Sequence, residues 1–162
     1  MPDERTGGGP RSGESRGGPR SGESRSTVAD ARERILTEHR ATVTGVLQCA
    51  DDVAATWDGD AATGRSDVVD PLSQRLHEAD LLARLPGLLS DAVAATDHPL
   101  AASPVAAPPY VVVTSRGPVL RGTTDAGRLV VVVRAFDVER GDTLRYVRGP
   151  TDPAAALSVS FE

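Results

Sequence analysis

The sequence contains no lysine: all 18 of its basic side chains are arginine, set against 23 aspartates and glutamates. Arginine can replace lysine on most of a surface, so this absence reflects codon supply and solvent more than any single site. An excess of acid keeps a surface hydrated, and like-charge repulsion keeps the protein dispersed. At 1 M salt the Debye length is about 3 Å, so this repulsion need not destabilise the fold. The composition is typical of a GC-rich genome and of a cytoplasm held at high salt.

Cysteine, aromatic residues and long apolar runs are also scarce. Cys49 is the only cysteine, which excludes an internal disulfide and any multi-cysteine metal site. Aromatic residues make up 3% of the chain, so valine, leucine and alanine must build the core. The longest apolar run, Leu129–Val133, is far shorter than the roughly 20 residues of a membrane span. Residues 1–26 lack the apolar stretch of a secretory signal. We therefore expect a soluble, cytoplasmic protein with no membrane contact.

The N-terminal segment contains a perfect tandem repeat, GGPRSGESR at 8–16 and again at 17–25. A segment of Gly, Ser, Arg, Pro and Glu without hydrophobic residues cannot bury enough surface to offset its chain entropy. We predict that residues 1–26 form a disordered Gly/Ser/Arg tail and that residues 27–162 form a single α+β domain. The tail either has no role or, through its Arg-Gly segment, contacts RNA.

Residues 27–96 are predicted to be helical. A stripe of residues at steps of three and four predicts one long first helix, and it comprises Leu36, His39, Val43, Val46, Ala50, Val53 and Trp57. Trp57, at the end of this stripe, should be largely buried. A second helix is predicted to start at Asp70-Pro71. Pro86 should end that helix, and a shorter third helix should follow over roughly 88–95.

The hydrophobic period changes from 3.6 to 2 after a loop at 97–109 that is rich in proline and alanine. Five strand candidates follow within 110–162, at 110–115, 119–124, 128–140, 144–148 and 156–161. Short turns between Val-rich strands are typical of an antiparallel meander. The predicted fold is α+β: N-terminal helices, one long and two shorter, packed on a C-terminal antiparallel β-meander of four to five strands.

Charge divides along the same boundary. Residues 27–109 carry six arginines and thirteen acids, for a net charge of −7, whereas residues 110–149 carry seven arginines and four acids, for +3. The sequence therefore predicts an acidic helical half joined to a mildly basic sheet.

Three segments of the predicted domain resemble a known family. They are APPYVVVTSRGPVLRGTTDAGRLVVVV at 107–133, ARERILTEHR at 31–40 and DHPLAA at 97–102. Together they resemble a family of small uncharacterised haloarchaeal proteins, a domain of unknown function, over roughly residues 27–148. The resemblance implies a high-salt habitat and one folded unit, and it brings no activity and no site residue.

Catalytic and metal-binding patterns are incomplete wherever one is suggested. His39 and Cys49 share a predicted helix, but ten residues give about 15 Å of rise and about 80° of rotation, so the two side chains cannot meet. Asp58-Gly59-Asp60 lacks the later ligands of a calcium loop. His77-Glu78 lacks the second histidine of a zinc helix, and Ser115 has no base nearby in sequence. We predict no catalytic residue, no cofactor and no metal site.

The alternating pattern of residues 128–140 predicts an interaction surface. One face of this strand suits packing under the helices, and the other face comprises Arg128, Val130, Val132, Arg134, Phe136, Val138 and Arg140. Apolar side chains framed by arginines are typical of a protein interface, and such patches are rare on soluble monomers. The alternative is that the loop at 98–109 folds over this face, or that the sheet curls and buries it.

The leading hypothesis is a non-catalytic protein-interaction or regulatory module that binds a protein partner or forms a homodimer. The alternative is a DNA-binding regulator of winged-helix type, in which the helix near 88–95 would read the bases. That helix offers no Arg, Asn or Gln to a base edge, so nucleic acid is not the expected partner. An enzyme of unknown class is the third hypothesis.

Overall fold

The structure, a computed structural model, describes the backbone of residues 21–162 and the side chains of residues 27–162. Four helices come first: α1 Ser21–Glu38, α2 Arg40–Ala54, α3 Ser66–Glu78 and α4 Leu81–Ala94, with the short strand β1 Ala61–Ala62 between α2 and α3. The remaining elements are β2 Val111–Val113, β3 Pro118–Thr123, β4 Arg128–Val133, β5 Phe136–Arg140, β6 Leu144–Arg148, the one-turn helix α5 Pro153–Ala156, and β7 Leu157–Phe161. The predicted α+β class is confirmed.

The predicted tail at 1–26 lies mostly outside the described residues, and α1 begins at Ser21, before the predicted domain start. None of the helices in residues 21–162 is long and apolar enough to cross a membrane.

The helices begin and end at other residues than the sequence predicts. The single long helix is two, because His39 (φ −126°, ψ 20°) leaves helical geometry and caps α2. Asp80, in the left-handed region at φ 61°, separates α3 from α4. Pro71 and Pro86 both lie inside helices, and neither ends one. Each proline removes one backbone hydrogen bond, and the buried apolar faces of α3 and α4 outweigh this local loss.

The strands form two antiparallel sheets instead of one meander. A four-stranded sheet has the order β2-β3-β4-β7, and a three-stranded sheet has the order β1-β6-β5. The predicted strand at 128–140 therefore divides into β4 and β5. The strand breaks where the Arg116 carbonyl, in the β2–β3 turn, accepts hydrogen bonds from the N–H groups of Ala135 (2.7 Å) and Phe136 (3.0 Å).

The main core lies between the helices and the inner face of the four-stranded sheet. Fully buried inner residues of this sheet are Leu120, Leu129, Val131 and Val133. Gly122 lets α4 approach β3 closely, because a Cβ there would lie 3.2 Å from Val93 and 3.3 Å from Leu89. The middle four residues of the predicted helical stripe, Val43, Val46, Ala50 and Val53, are fully buried in the hydrophobic core.

Trp57 follows α2, is partly buried and packs against the hydrophobic core. Its ring lies 5.6 Å from that of Phe136 in β5, at an interplanar angle of 39°. The indole therefore closes the core over the three-stranded sheet, where Phe136 and Tyr146 are buried.

Candidate interaction face on the four-stranded sheet

The face of the four-stranded sheet that points away from the helices, called here the outer face, carries three rows of side chains across the strands. The strand register places Val112, Val119, Val132 and Ser158 in the first row, Tyr110, Arg121, Val130 and Ser160 in the second, and Thr123, Arg128 and Glu162 in the third. The outer face therefore changes from apolar at one end to charged at the other.

The valines of the outer face are covered to different degrees. Val119 and Val130, in the two central strands, are each 8% exposed. Val112 and Val132 are partly buried, and the serines beside them in β7 are exposed. The first row therefore forms a narrow valine strip that is partly open to solvent at Val112 and Val132 and closed at Val119.

Two arginines dominate the charged end of the outer face. Arg121 and Arg128 are exposed and occupy diagonal positions on β3 and β4, a spacing of roughly 7–8 Å that long side chains bridge. Neither forms an ion pair within residues 27–162, whereas Arg145 pairs with Glu139 at 3.7 Å and Arg148 with Asp51 at 2.7 Å. Among the residues whose side chains the structure describes, neither arginine is therefore neutralised by a carboxylate.

A hollow of about 440 Å³ lies at this charged end. It is lined by Ala101, Ala102, Pro109, Tyr110, Arg121, Thr123, Arg128 and Glu162. The proline- and alanine-rich loop is held there, because the Ala101 N–H donates to the Thr123 carbonyl at 2.9 Å and Leu100 forms a bridge with Thr124. This loop therefore walls one end of the outer face.

The structure does not place all the predicted interface residues on one face. Arg128, Val130 and Val132 share the outer face. Arg134 follows β4 and pairs with Asp137 at 3.4 Å.

Phe136 and Val138 belong to β5 in the other sheet, and Phe136 is 0% exposed, against Trp57. The single-face prediction is therefore wrong for these two residues, because the chain changes sheet at Arg134–Ala135 and turns the following side chains into the core.

The pattern of residues 128–140 does not predict Tyr110 and Arg121, which also lie on the outer face. The alternation of Val119, Arg121 and Thr123 in β3 matches that of β4 and would have indicated Arg121. Tyr110 lies opposite Arg121, where the Arg121 N–H donates to the Tyr110 carbonyl at 2.9 Å, and this pairing depends on the hairpin register.

A family model for a domain of unknown function, DUF7988, matches residues 29–162, which is most of the chain. The chain belongs to the DUF7988 family. No curated protein and no solved structure shows a significant match. The family assignment agrees with the predicted resemblance to an uncharacterised domain.

Reactive side chains of this DUF7988 domain lie away from the outer face. Cys49 is buried in α2, where burial and, to a smaller extent, the nearby Asp52 carboxylate raise the pKa of its thiol, opposed by Arg75. The His39 Nε2 lies 2.6 Å from an Asp91 carboxylate oxygen, so this histidine connects the α1–α2 junction to α4. A buried, protonated thiol is a poor nucleophile, and the His39 contact joins structural elements.

Proposed function

We propose that this protein is a non-catalytic protein-interaction module that binds an acidic surface of a partner protein across its outer face. The observation that carries the proposal is the arrangement of the partly open valine strip beside Arg121 and Arg128, two exposed arginines with no carboxylate partner within residues 27–162. Protein interfaces are enriched in arginine, and charge complementarity selects the partner.

An acidic partner fits this face better than a second copy bound face to face. In a twofold dimer each surface meets itself, so Arg121 and Arg128 of one copy would approach the same cationic end or the valine strip of the other. Like charges brought together oppose association. A homodimer through the outer face is therefore the second candidate.

A DNA-binding role has less support. The exposed positions of α4 are Ala83, Arg84, Gly87 and Ala94. The exposed surface of α4 therefore offers one cationic side chain and no amide side chain, which is a poor set for recognising base edges in a major groove. The helical half of the chain, with a net charge of −7 over residues 27–109, would also repel the phosphate backbone.

The proposal includes a cytoplasmic, high-salt setting. The excess of acids over basic residues and the complete use of arginine in place of lysine support it. Salt at such concentrations screens exposed charges over a few ångströms, so the valine strip must contribute to affinity beside the arginines.

The test compares capture of partners by the tagged wild type and two variants from native lysate. Val132→Asp places a charge in the valine strip, and Arg84→Glu changes an exposed arginine on α4 as the matched control. We expect the partner to be lost with Val132→Asp and retained with Arg84→Glu, with both variants folded by circular dichroism.

Where Val132→Asp impairs folding, Ser158→Glu carries the same test, because Ser158 is exposed and lies directly opposite Val132. Light scattering separates the two candidates: a wild type larger than the Val132→Asp variant indicates the homodimer. Equal capture by the outer-face variants and the wild type, with equal size, would contradict the proposal.

A further inference from the structure

We infer that the hollow at Arg121 and Arg128 is a carboxylate-binding subsite that accepts two acidic side chains from an extended peptide segment of the partner. The inference rests on the proposed function and adds the chemistry and spacing that the partner must present.

The first feature of the hollow is its charge. Arg121 and Arg128 both line the hollow, and neither is neutralised by an ion pair within residues 27–162. A planar guanidinium donates two parallel hydrogen bonds to a carboxylate, which makes such pairs stronger than neutral ones. The hollow therefore offers two separate positions for carboxylates.

The second feature of the hollow is its shape. The loop residues Ala101, Ala102 and Pro109 give the hollow an apolar wall, and Tyr110 lines it beside Arg121. This loop is fixed by the hydrogen bond from Ala101 to Thr123 and by the Leu100–Thr124 bridge. A side chain that enters the hollow is thereby enclosed on one side and loses part of its contact with water.

The third feature is the spacing of the outward-facing side chains on β3 and β4. Along β3, Val119, Arg121 and Thr123 point outward at every second residue, and on β4 Val132, Val130 and Arg128 do the same. An extended peptide repeats its side chains at the same interval of roughly 6.4–6.8 Å per two residues. A peptide that lies along the strands would set an apolar residue over the valine strip and acidic residues over the two arginines.

Peptide carboxylates fit the hollow better than nucleic-acid phosphates. Glu162 also lines the hollow, and its charge opposes a dense polyanion more than it opposes two single carboxylates. The valines of the adjoining rows match apolar side chains, which a phosphate backbone does not present. The whole chain also carries a net charge of −5.

The experiment measures fluorescence anisotropy of a labelled peptide in which Val, Glu and Glu occupy alternate positions, separated by serine. A second peptide has Gln in place of both Glu residues. The full-length protein is tested as wild type, as Arg121→Gln/Arg128→Gln, and as Arg84→Gln, an exposed arginine on α4 that is also unpaired within the described residues. Thermal melting verifies that all three are folded.

We expect the wild type to bind the Glu peptide at least about tenfold more tightly than the Gln peptide, as loss of two charge-assisted contacts predicts. The double variant should lose this preference, and Arg84→Gln should keep it. Added KCl should weaken binding of the Glu peptide more than of the Gln peptide.

Equal binding of both peptides by the wild type, or an equal loss with Arg84→Gln, would overturn the inference. Tighter binding of a 15-base-pair DNA duplex that the double variant abolishes would also overturn it, because the hollow would then recognise phosphates. If the peptides are not distinguished while Val132→Asp still loses its partner, the subsite is wrong and the interaction face stands. If Val132→Asp keeps its partner, the face itself is wrong.

Discussion

At the residue scale, the Arg148 side chain connects several elements of the fold. Its Nε donates to Asp51 at 2.7 Å, and its terminal nitrogens donate to the carbonyls of Ala135, Leu47 (3.2 Å) and Pro150 (3.3 Å). The side chain is only 16% exposed. A nearly buried guanidinium that satisfies carbonyls from α2 and from the junction of the two sheets holds these layers in position.

Replacement of Arg148 should therefore lower the free energy of unfolding. Arg148→Gln removes the charge and most of the donors that join α2 to the junction of the two sheets, so we expect a loss of about 1.5–3 kcal/mol in the free energy of unfolding. Urea denaturation measures it. Arg145→Gln is the control on the same strand, with an exposed ion pair to Glu139, and should cost below about 1 kcal/mol. Equal losses for the two variants would contradict this role of Arg148.

The Cys49 thiol should make stability depend on pH. Burial raises its pKa above the ordinary value, so on raising the pH the unfolded chain loses this proton before the folded one does. The free energy of unfolding should then fall as the pH rises above the ordinary thiol pKa.

Cys49→Ala should show a smaller fall in the free energy of unfolding between pH 7.5 and pH 9.5 than the wild type does. All other titrating groups are shared, so the difference between the two proteins isolates the thiol. Identical pH profiles from urea titrations would show that Cys49 does not titrate differently in the two states.

At the element scale, Gly117 makes the exchange between the two sheets possible. Its φ is 139°, and a Cβ there would lie 2.0 Å from the Val133 carbonyl oxygen. This contact lets the β2–β3 turn approach the end of β4, where the Arg116 carbonyl accepts hydrogen bonds from the N–H groups of Ala135 and Phe136. A side chain at this position would push the turn away and release the break between β4 and β5.

Gly117→Ala should therefore destabilise the protein by more than about 2 kcal/mol, because both its conformation and its space exclude a methyl group. Gly141→Ala, in the β5–β6 turn, has open space around its Cβ position and should change stability by about 0.5 kcal/mol or less. Thermal melting of both variants makes the comparison, and a mild effect of Gly117→Ala would disprove the proposed close contact.

The same elements show how far the sequence could predict the fold. Short runs rich in β-forming residues, bounded by turn signals, placed β3, β4, β6 and β7 within a few residues, and in β7 the burial of the side chains also alternates. The break in 128–140 could not be predicted, since it depends on the Arg116 carbonyl from another hairpin. Likewise Glu38-His39-Arg40 carries no helix-breaking residue, so the end of α1 follows from tertiary packing and the His39–Asp91 contact.

The candidate site was predictable in part for a related reason. Arg128, Val130 and Val132 lie on one strand, and alternation within that strand is enough to place them on one face. Arg121 and Tyr110 join them only through the register of neighbouring strands. The hollow depends further on a loop whose proline- and alanine-rich sequence has no period, so no pattern in it indicates where it packs.

At the scale of the whole molecule, the acidic helical half and the basic sheet predict a dependence of stability on salt. Repulsion among the acids of residues 27–109 should relax as salt screens them. We expect the thermal midpoint to rise by more than about 4 °C between 0.2 M and 2 M KCl, or roughly 1 kcal/mol for a domain of this size.

Asp58→Asn/Asp60→Asn, in an exposed turn, is the control variant, and its midpoint should rise less over the same range because fewer charges repel. A midpoint that stays constant or falls as KCl is added would contradict the proposed high-salt setting.

The central claim, that the outer face is the binding surface, is tested most directly by site-specific photo-crosslinking in the cells that make this protein. Benzoylphenylalanine is placed singly at Thr123 or Ser158, both exposed on the outer face, and at Gln48 or Ala83, both exposed on helices. We predict that the two outer-face positions crosslink to one common partner and that the two helical positions do not. Crosslinks to a partner from the helical positions alone would contradict the claim and place the interface on the acidic half of the molecule.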